Sequence, residues 1–344
     1  MRKRTTISLA IVGGIVGAIL LTVCICAIVA NSRNDGTQPV AALCSWQDMI
    51  SDDAPLKSVA TPGAHDAGTK GLPYFAATQD RTVPELLECG TRYFDLRVSH
   101  SGDRLRIYHG PSKGVELADV LDGVKEFLQS HPSEAVILDF QHFENGETAQ
   151  PKTLEAIEEK LSGALVENDA DMPDVEFIDS LTLGKARGKA LVVWGVENDE
   201  ILAKGYVFKR NNDGGTRDNS VLHSYYVSSL NKKSSAKYIE TALPRYIQSY
   251  KEVNSGLFVL QGQLTDGLFV FGPHFKEATH TDNMNEYVKN LETSADLSVI
   301  NIVMRDFVSP EKNCLTLRLN IEKQLVKSSR LDDYAAMLNE HIKG

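Results

Sequence analysis

Short apolar runs alternate along this chain with longer stretches whose apolar positions recur at helical spacing. The runs are Leu56–Ala60, Tyr93–Val98, Leu105–Tyr108, Ala135–Phe140, Ala190–Trp194, Val221–Val227, Leu257–Leu260 and Ser298–Val303, each of strand length. Helical patterns between them include Glu116–Gln129, Thr153–Leu165 and Ser235–Tyr250. Strands alternating with helices predict an α/β fold with a parallel sheet, and this many repeats in one domain predict closure into a TIM-like (β/α) barrel. Within Tyr93–Val98 the two-residue period sets Asp95 and Arg97 on one face and Phe94, Leu96 and Val98 on the other. The apolar face is expected against helices, which points the two charges inward.

One apolar stretch has a different character. Ile7–Ala30 carries no charged residue and follows Arg2, Lys3 and Arg4, the charge pattern of a signal anchor with a cytoplasmic tip. As a helix it would extend about 36 Å, enough to cross a hydrocarbon core. Residues 1–30 are therefore read as tip and single-pass transmembrane anchor, 31–40 as a linker containing Gly36 and Pro39, and 41–344 as the catalytic barrel at the extracellular side of the cell membrane; cleavage near Ala30, releasing a secreted protein, is the rival expectation. Beyond the anchor lie Cys44, Cys89 and Cys314, an odd number that allows at most one internal disulfide. The formal net charge of −10 becomes −13 once Arg2, Lys3 and Arg4 are set aside. Such a balance argues against nucleic acid as a partner. Nor does any strand lead into GxGxxG or a P-loop, so nucleotide binding has no local support. Oligomeric state is not legible.

A parallel barrel carries its reactive groups at the carboxyl ends of strands. Four predicted strands end in ionisable residues. The first leads into Thr61-Pro62-Gly63-Ala64-His65-Asp66, where Pro62 and Gly63 are expected to stop the strand; the second carries Asp95 and Arg97; the third ends in His109; the last leads into Arg305-Asp306. Singly, each reads equally well as a surface pair or a structural ion pair. Two histidines, two carboxylates and an arginine recurring at separate strand ends form the convergence that a catalytic site requires.

The stretches Thr61–Thr69, Arg92–Arg97 and Tyr108-His109-Gly110-Pro111, in that order and spacing, resemble the successive motifs of the phosphatidylinositol-specific phospholipase C X domain. Phe127–Leu138, Leu183–Lys189 and Asn301–Phe307 are similar to that family's middle and closing segments. The resemblance implies a phospholipid substrate, membrane contact, and cleavage by the substrate's own 2-hydroxyl to give diacylglycerol and a cyclic inositol phosphate. It implies His65 as base oriented by Asp306, His109 as acid coupled to Asp66, and Arg97 on the phosphate oxygens. Arg97 stands where calcium-dependent relatives place acidic side chains, so no metal and no cofactor are expected. Asp95, Gln141 and Trp194 are the candidate substrate-binding residues.

Departures are visible too. Ala64 and Ala67 stand where the family usually has hydroxyl residues, and Asp139-Phe140-Gln141-His142 lacks the basic residue that relatives offer the headgroup. His100, His131, His142, His223, His274, His280 and His341 have no motif context and read as surface or structural. Two alternatives stand beside the phospholipase reading: a phosphodiesterase of the same fold with another headgroup, and a surface-anchored binding protein without activity.

Overall fold

The computed structural model describes residues 43–168, 172–211, 219–265 and 272–342. The anchor expected at 7–30 and the linker at 31–40 lie outside these residues. Among the described residues no helix is long and apolar enough to cross a membrane.

The strands are β1 (Thr61–Ala64), β2 (Tyr93–Ser101), β3 (Arg104–His109), β4 (Ser112–Glu116), β5 (Val136–Glu144), β6 (Ala190–Trp194), β7 (Val207–Lys209), β8 (Leu222–Ser224), β9 (Leu257–Gln261) and β10 (Ile302–Arg305). Their order, β7-β6-β5-β2-β1-β10-β9-β8, is parallel at every step. Its two ends meet where Arg210 bridges Leu222. There Asn211 N–H donates to the Leu222 carbonyl at 2.9 Å and Val221 N–H to that of Lys209 at 2.8 Å. The side chain of Asn211 extends this seam, donating to the Ser224 carbonyl at 3.0 Å and accepting from its N–H at 2.8 Å. The result is a nearly closed parallel α/β barrel, as the sequence predicts.

Three expectations need correction, the simplest being Ser298–Val303, which begins in the 3-10 turn Leu297–Val299 and becomes strand only at Ile302. Leu56–Ala60 is not a strand: Leu56–Ser58 forms a 3-10 turn, and β1 starts at Thr61. Amide side chains satisfy the backbone there, because Asn320 bonds both the N–H and the carbonyl of Ala60 while Asn301 donates to the carbonyls of Leu56 and Val59. Pro62 and Gly63 consequently lie inside β1 rather than stopping it. Gly63 is needed because a Cβ would come within 2.8 Å of the Tyr93 ring. The run ending in His109 is also not a barrel strand. It is β3, antiparallel to β2 in a hairpin that continues into β4.

Side chains alternate as the period predicts. Tyr93, Ile137, Leu191, Val193, Val259, Ile302 and Met304 pack in one cluster with Leu43, Trp46 and Ile50. Phe94, Leu96 and Val98 pack outward with Leu117, Val120, Leu121 and Val124 of the helix Leu117–Ser130. Burying each such side chain stabilises by about 1.5–3 kcal/mol. Phe258, Leu260 and Val303 meet Tyr238, Tyr246 and Ile247 of the helix Ser235–Val253 in the same way.

Where β2 begins, Arg92 is fully buried and paired with equally buried Glu134 at 2.8 Å. It also donates to the carbonyls of Leu87, Thr91 and Cys44, each at 2.8 Å. Cys44, Cys89 and Cys314 are buried and are not joined in a disulfide. Burial pushes the thiols of Cys89 and Cys314 up, to about 11 and about 12.

Candidate active site

β1 and β10 are paired in register as far as Ala64 and Arg305, so the residues that follow, His65 and Asp306, leave the barrel side by side. His65 Nδ1 lies 2.7 Å from Asp306 Oδ1. A carboxylate only accepts, so Nδ1 carries the proton and Nε2 faces the cleft. Asp66 turns back under the ring with φ of +44°, a left-handed conformation that Asp tolerates better than most residues. Its N–H donates to Asp95 Oδ2 at 3.1 Å. With no hydroxyl at Ala64 or Ala67, other groups hold this loop. Thr78 Oγ1 donates to the carbonyls of His65 and Asp66, and Gln79 Nε2 to those of His65 and Arg305. Sequence reading missed Thr78 and Gln79, which carry no local signal of this contact.

On the next strand Arg97 faces the same space. Its Nε is 2.5 Å from Asp66 Oδ1, and its Nη2 lies 3.3 Å from His65 Nε2 and 3.6 Å from Asp95 Oδ2. The β2–β3 hairpin returns His109 to this level, where Nδ1 donates to the Ala76 carbonyl at 2.7 Å and Nε2 lies 3.5 Å from Asp66 Oδ2. His65 Nε2 lies 3.4 Å from that same oxygen. One buried carboxylate thus stands between two imidazoles, each anchored through its other nitrogen.

Electrostatics follow from this crowding. For His65, burial by itself disfavours the imidazolium, but Asp66, Asp306 and Asp95 outweigh it and lift the pKa to about 9. Burial likewise opposes ionisation of Asp66, yet Arg97, then His65, His109 and His142, hold it down at about 2. Burial raises Asp306, against the lowering effect of His65. Replacing Asp306 with asparagine removes an anion that favours the imidazolium. The acid limb of the kcat/KM profile should therefore move to lower pH while kcat falls, and an unmoved limb would show that another group governs it. His65 also links pH to stability. Its raised pKa contributes stability fully below about 6.5, lost as pH rises through about 9.

The cleft, of about 190 Å³, is lined by His65, Asp66, Arg97 and His109 together with Gln141, His142, Tyr226, Gln261, Gln263, Thr265 and Met304. A bulge between β2 and β5 pairs Leu96 with Phe140 but Arg97 with His142, leaving Gln141 as the extra residue. The bulge brings Gln141 and His142 into the cleft together, so His142 is a site residue and not merely a surface one. The strand pattern alone gives no sign of it. Trp194 departs from the expectation: fully buried, it packs against Phe140 and Phe143 and donates to Gln150 at 3.0 Å, so its ring is withheld from any ligand. Asp95 is corrected as well. It is fully buried beneath the cleft and holds Asp66 rather than facing a ligand.

His65, Asp66 and Asp95 present ligand atoms within 4.8 Å of one another, close enough to chelate a cation. Arg97, permanently charged, already lies against all three. A guanidinium so placed repels a divalent ion from the same donors, and the set fits a metal poorly.

Two oriented imidazoles, a shared carboxylate and a guanidinium at the mouth of a parallel barrel define an acid/base centre suited to a phosphate-bearing ligand. Residues 54–194 match the family model described as phosphatidylinositol-specific phospholipase C, X domain, and the chain is similar to bacterial proteins described in the same terms. The 1-phosphatidylinositol phosphodiesterase of Listeria monocytogenes is 25% identical over 88% of this chain and 91% of its own length. PI-PLC X domain-containing protein 2 of Mus musculus is 30% identical over 33% of this chain, which spans 44% of that protein. The phosphatidylinositol-specific phospholipase C structure from Listeria monocytogenes superposes with a TM-score of 0.64 at 20% identity, covering 81% of this chain and 98% of that one. One from Staphylococcus aureus gives 0.61 at 18%, covering 81% and 97%.

Proposed function

We propose that the protein is a metal-independent phospholipase C that cleaves phosphatidylinositol, or a glycosylated relative, by internal transfer. The observation that carries this reading is the placement of both imidazole Nε2 atoms within 3.5 Å of one Asp66 oxygen, with Arg97 Nε 2.5 Å from the other. His65 Nε2 takes the proton of the inositol 2-hydroxyl as that oxygen bonds to phosphorus. The bond from phosphorus to the glyceride oxygen breaks, and His109 Nε2 supplies the proton that oxygen needs. Arg97 offsets the charge on the non-bridging oxygens as it grows. The products are a cyclic inositol phosphate and diacylglycerol. Neutral amides Gln141, Gln261 and Gln263 in the cleft lining support an uncharged polyol as the headgroup.

The test is phosphorus NMR on the chain from Asn31 onward, with phosphatidylinositol in micelles. A cyclic phosphodiester should form at the same rate with and without EDTA. Loss of turnover on chelation would overturn the metal-free reading, and no turnover in a folded protein would favour another headgroup or the binding alternative.

The apolar run Ile7–Ala30 behind three basic residues supports a single-pass tether that keeps the barrel at the outer surface of the membrane. Expression from Met1 should place the protein in the membrane fraction, resistant to high salt, whereas a chain starting at Asn31 should be released.

A further inference from the structure

We propose that Lys312, held by Glu277, is a positioning residue that sets how Asp306 meets His65. This inference rests on the acid/base reading above. Phe307, directly after Asp306, has φ of +44°, a conformation an aromatic residue adopts rarely and only when its surroundings impose it. Lys312 Nζ donates to the carbonyls of both Asp306 and Phe307, each at 2.8 Å. One ammonium therefore fixes the peptide planes on either side of the strained residue. Phe307 N–H donates to the Thr78 carbonyl at 2.8 Å and Val308 N–H to Gln79 Oε1 at 3.1 Å, so the turn is also tied to the residues that hold the His65 loop.

Lys312 has its own restraint. It sits in the first turn of the helix Pro310–Glu322, where its N–H donates to the capping Ser309 hydroxyl at 3.3 Å. Its ammonium is in contact with Glu277 of the helix Gly272–Leu291, a carboxylate that also accepts from the Thr281 hydroxyl and lies 3.9 Å from Arg305. Lys312 and Glu277 are 6% and 1% exposed. A buried pair of this kind is often replaceable by apolar residues without loss of stability. What apolar residues cannot replace is the double hydrogen bond to the turn. Asp306 depends on that turn for its 2.7 Å approach to His65.

The experiment follows the His65 imidazole by NMR titration in the full-length chain in detergent micelles, without substrate. It compares wild type, Lys312→Arg, and the double variant Lys312→Met with Glu277→Gln, which leaves no lone buried carboxylate. The groups facing His65 are Asp306 beyond β10, Asp66 in its own loop, and Asp95 and Arg97 of β2, with His109 of β3 and His142 of β5 acting through Asp66. None of these groups is substituted in either variant, so a downward shift of the His65 midpoint reports a displaced Asp306. The shift should be largest in the double variant and smaller in Lys312→Arg, whose planar fork meets two carbonyls less well. In parallel, kcat should fall by up to about 10²-fold with KM nearly unchanged. An unmoved midpoint in Lys312→Arg together with unaltered kcat overturns the proposal, even where the double variant fails to fold. Absence of turnover in wild type would instead count against the phospholipase reading, and the His65 titration would still decide the role of Lys312.

Discussion

Replacing His65 with alanine is expected to slow formation of the cyclic phosphodiester by about 10²–10⁴-fold, the range that a general base contributes. The expectation rests on geometry before pKa. Asp306 fixes Nδ1–H, and Nε2 opens into the cleft beside Arg97. His109→Ala should cost a similar factor on a lipid substrate, but for a different reason, and the difference is measurable. An alkoxide leaving from diacylglycerol needs a proton, whereas an aryl oxide leaves without one. A substrate with an aryl leaving group should therefore recover most of its rate in His109→Ala and little of it in His65→Ala. Phosphorus NMR on both substrates makes the comparison. Equal recovery in the two variants would reverse or dissolve the assignment of base and acid.

The largest effect on stability is expected from Glu134→Ala. Both members of the Arg92–Glu134 pair are fully buried, and removing the carboxylate leaves a guanidinium in the core with backbone carbonyls as its remaining acceptors. Breaking a buried pair from one side costs about 3–5 kcal/mol, a large fraction of the roughly 5–15 kcal/mol that holds a typical domain together. Arg92 ties the start of β2 to the segment at Cys44 and to the turn before β5. Unfolding in urea, monitored by fluorescence of buried Trp46 and Trp194, should show a midpoint displaced well below that of wild type. Activity of the remaining folded fraction should be nearly unchanged, since the pair lies away from the cleft lining. A midpoint within error of wild type would mean that water or a neighbouring group compensates the arginine.

Much of this architecture is legible in the sequence because it depends on short-range periodicity. The alternation at Tyr93–Val98 places Asp95 and Arg97 inside and Phe94, Leu96 and Val98 against a helix, as found. Other features depend on contacts that no local pattern encodes. Leu56–Ala60 reads as a strand because it is apolar, but Asn301 and Asn320, more than two hundred residues away in the chain, claim its backbone. Trp194 reads as a ligand platform because it ends a strand, but the outward phase of β6 buries it. His142 reads as a surface histidine because the bulge that turns it inward is a property of two paired strands and not of either one. Arg92 and Arg97, five residues apart in one motif, have unrelated roles: the first supports the barrel, and the second faces the cleft.

The seam between β7 and β8 has a consequence for encounters with other chains. Each of these strands is three residues long, and in a flat sheet they would be its two edges, with unpaired N–H and carbonyl groups available to any extended segment nearby. Arg210 and Asn211 join those edges to each other, with the Asn211 amide standing in for a further residue of backbone. Rolled up and stitched in this way, the sheet leaves little room at that seam for strand addition from a neighbouring molecule, a safeguard against aggregation that one asparagine side chain extends beyond the backbone pairing.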